Sequence, residues 1–230
     1  MNEHFRLDTV NEGVEESSVG FVSVPGFVAK PLAEHAPDRL ATTIAQAYPD
    51  SLVLQPQRDS LILKDDPGSY AAISDHVLEV LESIKPRVDT LILSGNSFGA
   101  NFAVEAHGSS ADRLLLISPV TNIPDTMAWV NDQDEGFIQF PGSARITMAP
   151  QVITDSKAFV DRIADTIGQT PTALIDLAGD PLVNQIVHEG LATRNNIDRT
   201  VTDLGPLAHG YRRELEPTVV SHLGKLISQS

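Results

Sequence analysis

The stretch Leu91-Ile92-Leu93-Ser94-Gly95-Asn96-Ser97-Phe98-Gly99-Ala100 constrains the fold of this chain more than any other. Val88, Leu91, Ile92 and Leu93 form a short apolar run with strand character, and Ala100, Ala103, Val104 and Ala106 follow at helical spacing. Between them stands Gly-x-Ser-x-Gly, so a strand has to turn sharply into a helix around Ser97. The turn is too tight for a Cβ at Gly95 or Gly99, and it lifts the serine hydroxyl above the sheet, where a base can reach it. A glycine-rich turn with an incidental serine, or a phosphate-binding turn, is the competing reading. A dinucleotide fingerprint would need Gly-x-Gly-x-x-Gly and a P-loop Gly-Lys-Ser/Thr, and neither is present.

Around this motif, apolar runs that read as buried strands alternate with longer amphipathic runs. That is the pattern of a mostly parallel sheet with covering helices on both faces, an α/β fold. Strands are expected at Phe5 to Val10 (an edge strand), Val19 to Val24, Ser51 to Gln55, the run before Ser97, Arg113 to Ile117, Ala173 to Leu177 and Thr200 to Leu204. Helices are expected at Leu40 to Ala47, at Tyr70 to Ile84 with Ile73, Val77, Val80 and Leu81 on one stripe, and from about Glu214 to the end. At 230 residues the chain is long enough for one domain with a large core and short for two, so residues 1–230 are read as a single domain. The alternation breaks between Thr121 and about Ala149, where Trp129, Met127, Phe137 and Phe140 are interleaved with Asp132, Asp134 and Glu135. An insertion of that length between two core strands is usually functional; a surface loop with a helix is the plainer alternative.

Charge and cysteine usage exclude several classes of function. Asp and Glu number 31 against 16 Lys and Arg, a net charge of −15. Such a field repels nucleic acid and anionic membrane. The absence of cysteine removes disulfides, thiolate metal sites and a cysteine nucleophile. Asn131-Asp132-Gln133-Asp134-Glu135-Gly136 has a faint likeness to a calcium loop, but Gly142 stands where the twelfth-position Glu belongs, so it reads as a solvated acidic turn and no metal is expected. Met1-Asn2-Glu3-His4-Phe5-Arg6 lacks an apolar leader core and no later run has the length of a membrane span; the expectation is cytoplasmic.

The strand, Gly95-x-Ser97-x-Gly99 and following helix resemble the nucleophile elbow of the α/β-hydrolases, and the likeness extends from about Val19 to the C-terminus. The family usually has a hairpin before this region, whereas here there is room for about one strand. The resemblance implies a serine nucleophile at Ser97, then an acid, then a histidine in chain order, with acid and base on loops after later strands. Of the seven histidines, His4, His35 and His76 precede the elbow, and His107 falls near the far end of the elbow helix, roughly 15 Å away at 1.5 Å per residue. His188 falls in an expected helix and His222 near the end of the last one. His209, in the turn-rich Leu204-Gly205-Pro206-Leu207-Ala208-His209-Gly210, is the implied base. Asp180, in Gly179-Asp180-Pro181-Leu182-Val183 at the end of a strand, matches the family's acid-bearing loop. Capping of a helix starting at Pro181 is its plainer reading, Asp176 and Asp203 are weaker candidates, and Asp125 is the rival acid, placed where some members carry theirs.

The resemblance also implies backbone donors for an oxyanion. One is the amide of Phe98; the other comes from Pro25-Gly26-Phe27, where many relatives have His-Gly, with Gly26 and Phe27 as the candidates. The insertion at 121–149 corresponds to the place where the family inserts a cap, which makes Trp129, Phe137, Phe140 and Met148 candidate substrate-pocket residues. The segment from Ile146 to Asp161 is loosely similar to small-cap esterases of the feruloyl-esterase type. The implied function is hydrolysis of a small-molecule carboxylic ester through an acyl-enzyme, without a cofactor. Thioesterase, peptidase, acyltransferase and lyase activities use the same three residues, and a non-catalytic binding member of the fold is the alternative from another class.

Overall fold

In a computed structural model that describes residues 4–26, 37–59, 68–107, 110–121, 128–130, 136–139, 145–167, 170–193, 197–205 and 208–229, seven strands form one sheet. They are β1 (Phe5–Thr9), β2 (Ser17–Val24), β3 (Leu52–Arg58), β4 (Val88–Asn96), β5 (Arg113–Ile117), β9 (Thr172–Leu177) and β10 (Ile197–Thr202), in the order β1-β3-β2-β4-β5-β9-β10. All neighbours are parallel except β1, which runs antiparallel to β3 at the edge. Among the described residues the α-helices are α1 (Arg39–Ala47), α2 (Ser69–Ile84), α3 (Phe98–His107), α4 (Pro150–Ile167), α5 (Gln185–Ala192) and α6 (Glu216–Ser228). None of the described helices is long and apolar enough to cross a membrane.

The central strands carry near-continuous apolar runs, Leu91 to Leu93, Leu114 to Ile117 and Ala173 to Ile175, because both faces are covered. Alternation divides their side chains between two cores. Leu91, Leu93, Leu114, Leu116 and Leu174 pack with Ile73 and Val77 of α2, Phe102 and Val104 of α3 and Val152 and Phe159 of α4. Ile92, Leu115, Ile117, Ala173 and Ile175 pack on the opposite face with Leu40 and Ile44 of α1 and Leu215, Val219 and Leu223 around the start of α6. The chain leaves β2 towards α1 on one face, whereas it leaves the adjacent β4 into α3 on the other. The carboxyl ends of β2 and β4 therefore mark the topological switch point of the sheet, where folds of this class place their ligand sites.

Two strands, β3 and β10, differ most from expectation. β3 continues past Gln55 through Pro56 to Arg58. By then β3 pairs only with β1, in the register Leu7 opposite Pro56, because its pairing with β2 ends at Leu54, so the N–H that proline lacks faces no strand on that side. β10 begins at Ile197, opposite Thr172, and stops at Thr202; the Asp203 side chain then accepts from the Gly205 amide and turns the chain away.

Within 121–149 lie three short antiparallel strands, β6 (Ala128–Val130), β7 (Gly136–Gln139) and β8 (Arg145–Met148), which form a separate sheet. Trp129 and Phe137 are register partners across β6 and β7.

Candidate active site

The elbow forms because β4 passes into α3 with no intervening loop. Ser97 takes a left-handed φ of 56°, and its amide donates to the Ile117 carbonyl at 2.9 Å while its carbonyl accepts from Ala100. A Cβ on Gly95 would come within 2.5 Å of Ala100 Cα. One on Gly99 would lie 2.2 Å from the Val24 carbonyl oxygen and 2.4 Å from that of Pro25. Neither can be accommodated, so the glycines are what let the elbow close and sit against the end of β2.

His209 lies above Ser97, with its Nε2 2.6 Å from Ser97 Oγ. On the far side of the ring, Nδ1 is 2.7 Å from Asp180 Oδ2, and Asp180 Oδ1 accepts from the Leu182 amide at 3.0 Å. With Nδ1–H donating to the carboxylate, Nε2 is free to accept the serine proton. Asp180 is buried, Ser97 is 9% exposed, and the His209 side chain is 23% exposed, so of the three the histidine is the one most open to solvent. The segment after β9 is a turn through Gly179 (φ 75°), and α5 begins only at Gln185 with Asn184 as its cap. No helix starts at Pro181: one Asp180 oxygen closes a turn through the Leu182 amide and the other bonds His209.

The histidine loop is fixed to the elbow itself. Asn96, the residue before Ser97, accepts from the Tyr211 amide at 2.7 Å, two residues beyond His209. Gly210 takes a φ of 69°, and a Cβ there would stand 3.0 Å from Asn96 Oδ1. The Tyr211 hydroxyl lies 2.8 Å from that of Thr43 on α1.

Gly26 is packed on the nucleophile: a Cβ there would be 3.3 Å from Ser97 Cβ and 3.1 Å from the Asn96 carbonyl oxygen. Phe98 is the first residue of α3 and is buried, so its amide belongs to the unpaired first turn of a helix, whose dipole favours a negative charge. Beneath Pro25 and Gly26 lies Arg58, at the end of β3. Its Nη1 donates to the Pro25 carbonyl and its Nη2 to the Gly26 carbonyl, each at 3.2 Å, and its Cζ stands 4.9 Å from the centre of the Phe102 ring. Burial pushes the guanidinium down to about 10, still charged at neutral pH.

A second buried group adjoins the acid loop. Asp176 on β9 bonds His188 Nδ1 at 2.6 Å and Arg199 Nε at 2.7 Å, and His188 Nε2 is 2.9 Å from Thr121 Oγ1. Thr121 Oγ1 also accepts from the Asn184 amide, tying the exit of β5 to the loop that carries Asp180.

The structure thus brings Ser97, Asp180 and His209 together and sets Gly26 and Phe98 beside them. Phe27, Phe140 and the rival acid Asp125 lie outside the described residues. Met148 is buried in the core on the α2–α4 face of the sheet. His76 stacks on Phe5, His107 bonds the Val104 carbonyl and Thr170, and His222 bonds Thr200, all away from Ser97. Sequence reasoning missed Asn96, Arg58 and the Thr121–His188–Asp176 group. Asn96 occupies a variable position of the motif, and an arginine at the end of a strand gives no sign of where its guanidinium goes.

No protein-family model matches this sequence, and no curated protein does. Solved structures do match over nearly the whole chain. Est1E from Butyrivibrio proteoclasticus is 14% identical, with 97% of this chain and 94% of that one covered and a TM-score of 0.70. An esterase domain from a Rhodothermus marinus protein is 15% identical, with 96% and 90% covered and a TM-score of 0.61. A soluble variant of monoglyceride lipase from Saccharomyces cerevisiae, in complex with a substrate analogue, is 10% identical, with 98% and 90% covered and a TM-score of 0.63. Strand order, the helices on both faces of the sheet and these likenesses agree: the chain has the α/β-hydrolase fold.

Proposed function

We propose that this protein is a serine hydrolase that cleaves small-molecule carboxylic esters through an acyl-enzyme. The observation that carries the reading is the unbroken chain Ser97 Oγ–His209 Nε2–Asp180 Oδ2, at 2.6 and 2.7 Å, at the switch point of the sheet. An unassisted serine hydroxyl is a weak nucleophile, and a base at that distance overcomes the weakness. Ser97 Oγ attacks the ester carbonyl as His209 takes its proton. Asp180 holds the ring in the Nδ1–H tautomer and stabilises the imidazolium. The amides of Phe98 and of Gly26 or Phe27 hold the oxyanion; the alcohol leaves with the proton from His209, and water activated by His209 releases the acid. Trp129, Phe137 and Phe140 are the proposed acyl-pocket residues; Met148, packed in the core, is not one of them. The ester class is proposed because the similar structures include an esterase domain and a monoglyceride lipase, and Est1E is also solved with ferulic acid bound (13% identity, TM-score 0.67).

Labelling with a fluorophosphonate, wild type beside Ser97→Ala, tests the reading. Ser97-dependent labelling at neutral pH is expected; its absence points to a binding protein on this fold. Turnover of p-nitrophenyl acyl esters of graded length, aryl-acid esters and acyl-thioesters then discriminates the substrate classes. Loss of turnover in Asp125→Asn but not in Asp180→Asn would overturn the acid assignment.

A further inference from the structure

We infer that Arg58 is a positioning residue for the oxyanion hole, acting through the two peptide groups that contain both candidate donors. The inference rests on the serine-hydrolase reading above. A peptide group is planar, so fixing its carbonyl oxygen fixes the direction of its N–H. The Pro25 carbonyl shares its plane with the Gly26 amide, and the Gly26 carbonyl shares its plane with the next amide along the chain. Arg58 donates to both carbonyls, each at 3.2 Å. Whichever of the two amides faces the oxyanion, its plane is held by the same guanidinium.

Three further observations give this fork its purpose. Gly26 is packed against Ser97 and the Asn96 carbonyl, so the pinned peptides adjoin the reacting serine. Gly99 leaves room for the Val24 and Pro25 carbonyls to sit on the elbow, so the Pro25 peptide packs directly on the turn that carries Ser97. The guanidinium also lies over Phe102 of α3, the helix that begins with the other donor, Phe98, so one side chain braces both halves of the hole. Burying a charge is expensive, and an apolar side chain of similar volume would fill this site at lower cost. The planar fork, matched to two acceptors, is what Arg supplies and neither Lys nor Met can.

The test pairs an oxo-ester with its thiono-ester analogue in wild type, Arg58→Met, Arg58→Gln and Arg58→Lys, with folding followed by circular dichroism. A thiolate-like sulfur accepts hydrogen bonds poorly, so an intact oxyanion hole favours the oxo-ester, and a disordered one loses that preference. Arg58→Met is expected to lower kcat for the oxo-ester by roughly 10²-fold, the loss typical of one missing oxyanion donor, with KM changed by less than about threefold. The oxo-to-thiono ratio is expected to fall by about tenfold or more. Arg58→Gln, polar but too short to reach either carbonyl, stands in if Arg58→Met does not fold. An unchanged ratio in a folded variant would overturn the inference, whatever the loss of rate, as would full restoration by Arg58→Lys, which keeps the charge without the fork. Wild type that neither labels nor turns over would overturn the hydrolase reading itself, a separate result from an active enzyme insensitive to Arg58.

Discussion

His188 Nδ1 stands 2.6 Å from Asp176 Oδ1, nearly the separation of His209 Nδ1 from Asp180 Oδ2, four residues further along the same strand and turn. With Thr121 Oγ1 on its other nitrogen, His188 sits in a Thr–His–Asp chain of the same connectivity as Ser97–His209–Asp180. The difference lies in the surroundings. His188 and Asp176 are wholly buried, the Asp176 carboxylate is shared with Arg199, and the Thr121 oxygen is occupied by the Asn184 amide. The carboxylate can only accept, so His188 Nδ1 and Arg199 Nε both donate to Asp176. No substrate can reach it.

The two chains should therefore separate in their mutational effects. His188→Leu leaves hydrogen-bonding groups of Asp176 and Thr121 unsatisfied in the interior, and stability should fall by about 2–3 kcal/mol. Fluorophosphonate labelling per folded molecule should stay within about threefold of wild type. His209→Ala should abolish labelling and disturb stability far less, since the space it leaves opens to solvent. Urea denaturation beside labelling rates checks both. Equal loss of labelling in the two variants would count against the assignment of His209.

Ser97 occupies a backbone conformation that only glycine adopts without strain, at φ 56°. That strain costs on the order of 1 kcal/mol. Ser97→Ala retains it and Ser97→Gly removes it, so the glycine variant should be the more stable by about 1 kcal/mol although both lack turnover. Thermal unfolding of the pair decides it, and equal stability would mean the elbow stores no strain.

How much of this was legible in the sequence depends on the range of each interaction. The elbow is local: strand character, two glycines and a helix within ten residues report one turn, and Gly95 and Gly99 are required for the reason the sequence suggests. The proximity of Asp180 and His209 to Ser97 came from chain order in a family, since nothing within Ala178–Pro181 or Ala208–Gly210 states what lies opposite. Asn96 and Arg58 were illegible for a different reason. Each acts on main-chain atoms of a distant loop, the Tyr211 amide and the Pro25 and Gly26 carbonyls, and a backbone partner leaves no trace in residue identity. The expected strand stops at Gln55 whereas β3 runs on through Pro56, and only the pairing with β1 shows that the N–H proline lacks is not needed.

Asp38 caps α1, accepting from the Ala41 amide at 2.8 Å, yet burial raises its carboxyl to about 6 against the opposing pull of the Ala41 and Leu40 amides. An acid whose native pKa exceeds its unfolded one binds a proton more tightly when folded. Below about pH 4 it is neutral in both states; between about 4 and 6 stability falls as pH rises; above 6 a constant penalty remains, on the order of 1–3 kcal/mol. Asn keeps the capping oxygen and never ionises. Asp38→Asn should therefore be more stable than wild type at pH 8, with the gap closing as pH drops through 6 towards 4. Chemical denaturation at pH 4, 6 and 8 checks this, and a gap independent of pH would contradict the buried titration.

Asn96 should be worth more to rate than to stability. Its side-chain oxygen takes the Tyr211 amide at 2.7 Å, which joins the loop carrying the base to the turn carrying the nucleophile. Asn96→Ala removes one hydrogen bond, about 1 kcal/mol of stability. It also frees the 208–211 segment to shift relative to Ser97, and a displacement near 1 Å at a reacting pair can cost on the order of 10² in rate. The expected result is kcat lower by about 10–100-fold with KM little changed. The rate of fluorophosphonate labelling should fall in parallel, because it needs the same serine–histidine contact. Asn96→Asp keeps an acceptor for the Tyr211 amide and should recover part of the loss. If Asn96→Ala turns over ester at the wild-type rate, the histidine loop is located by its other contacts, of which the Tyr211–Thr43 hydroxyl pair on α1 is the first to remove.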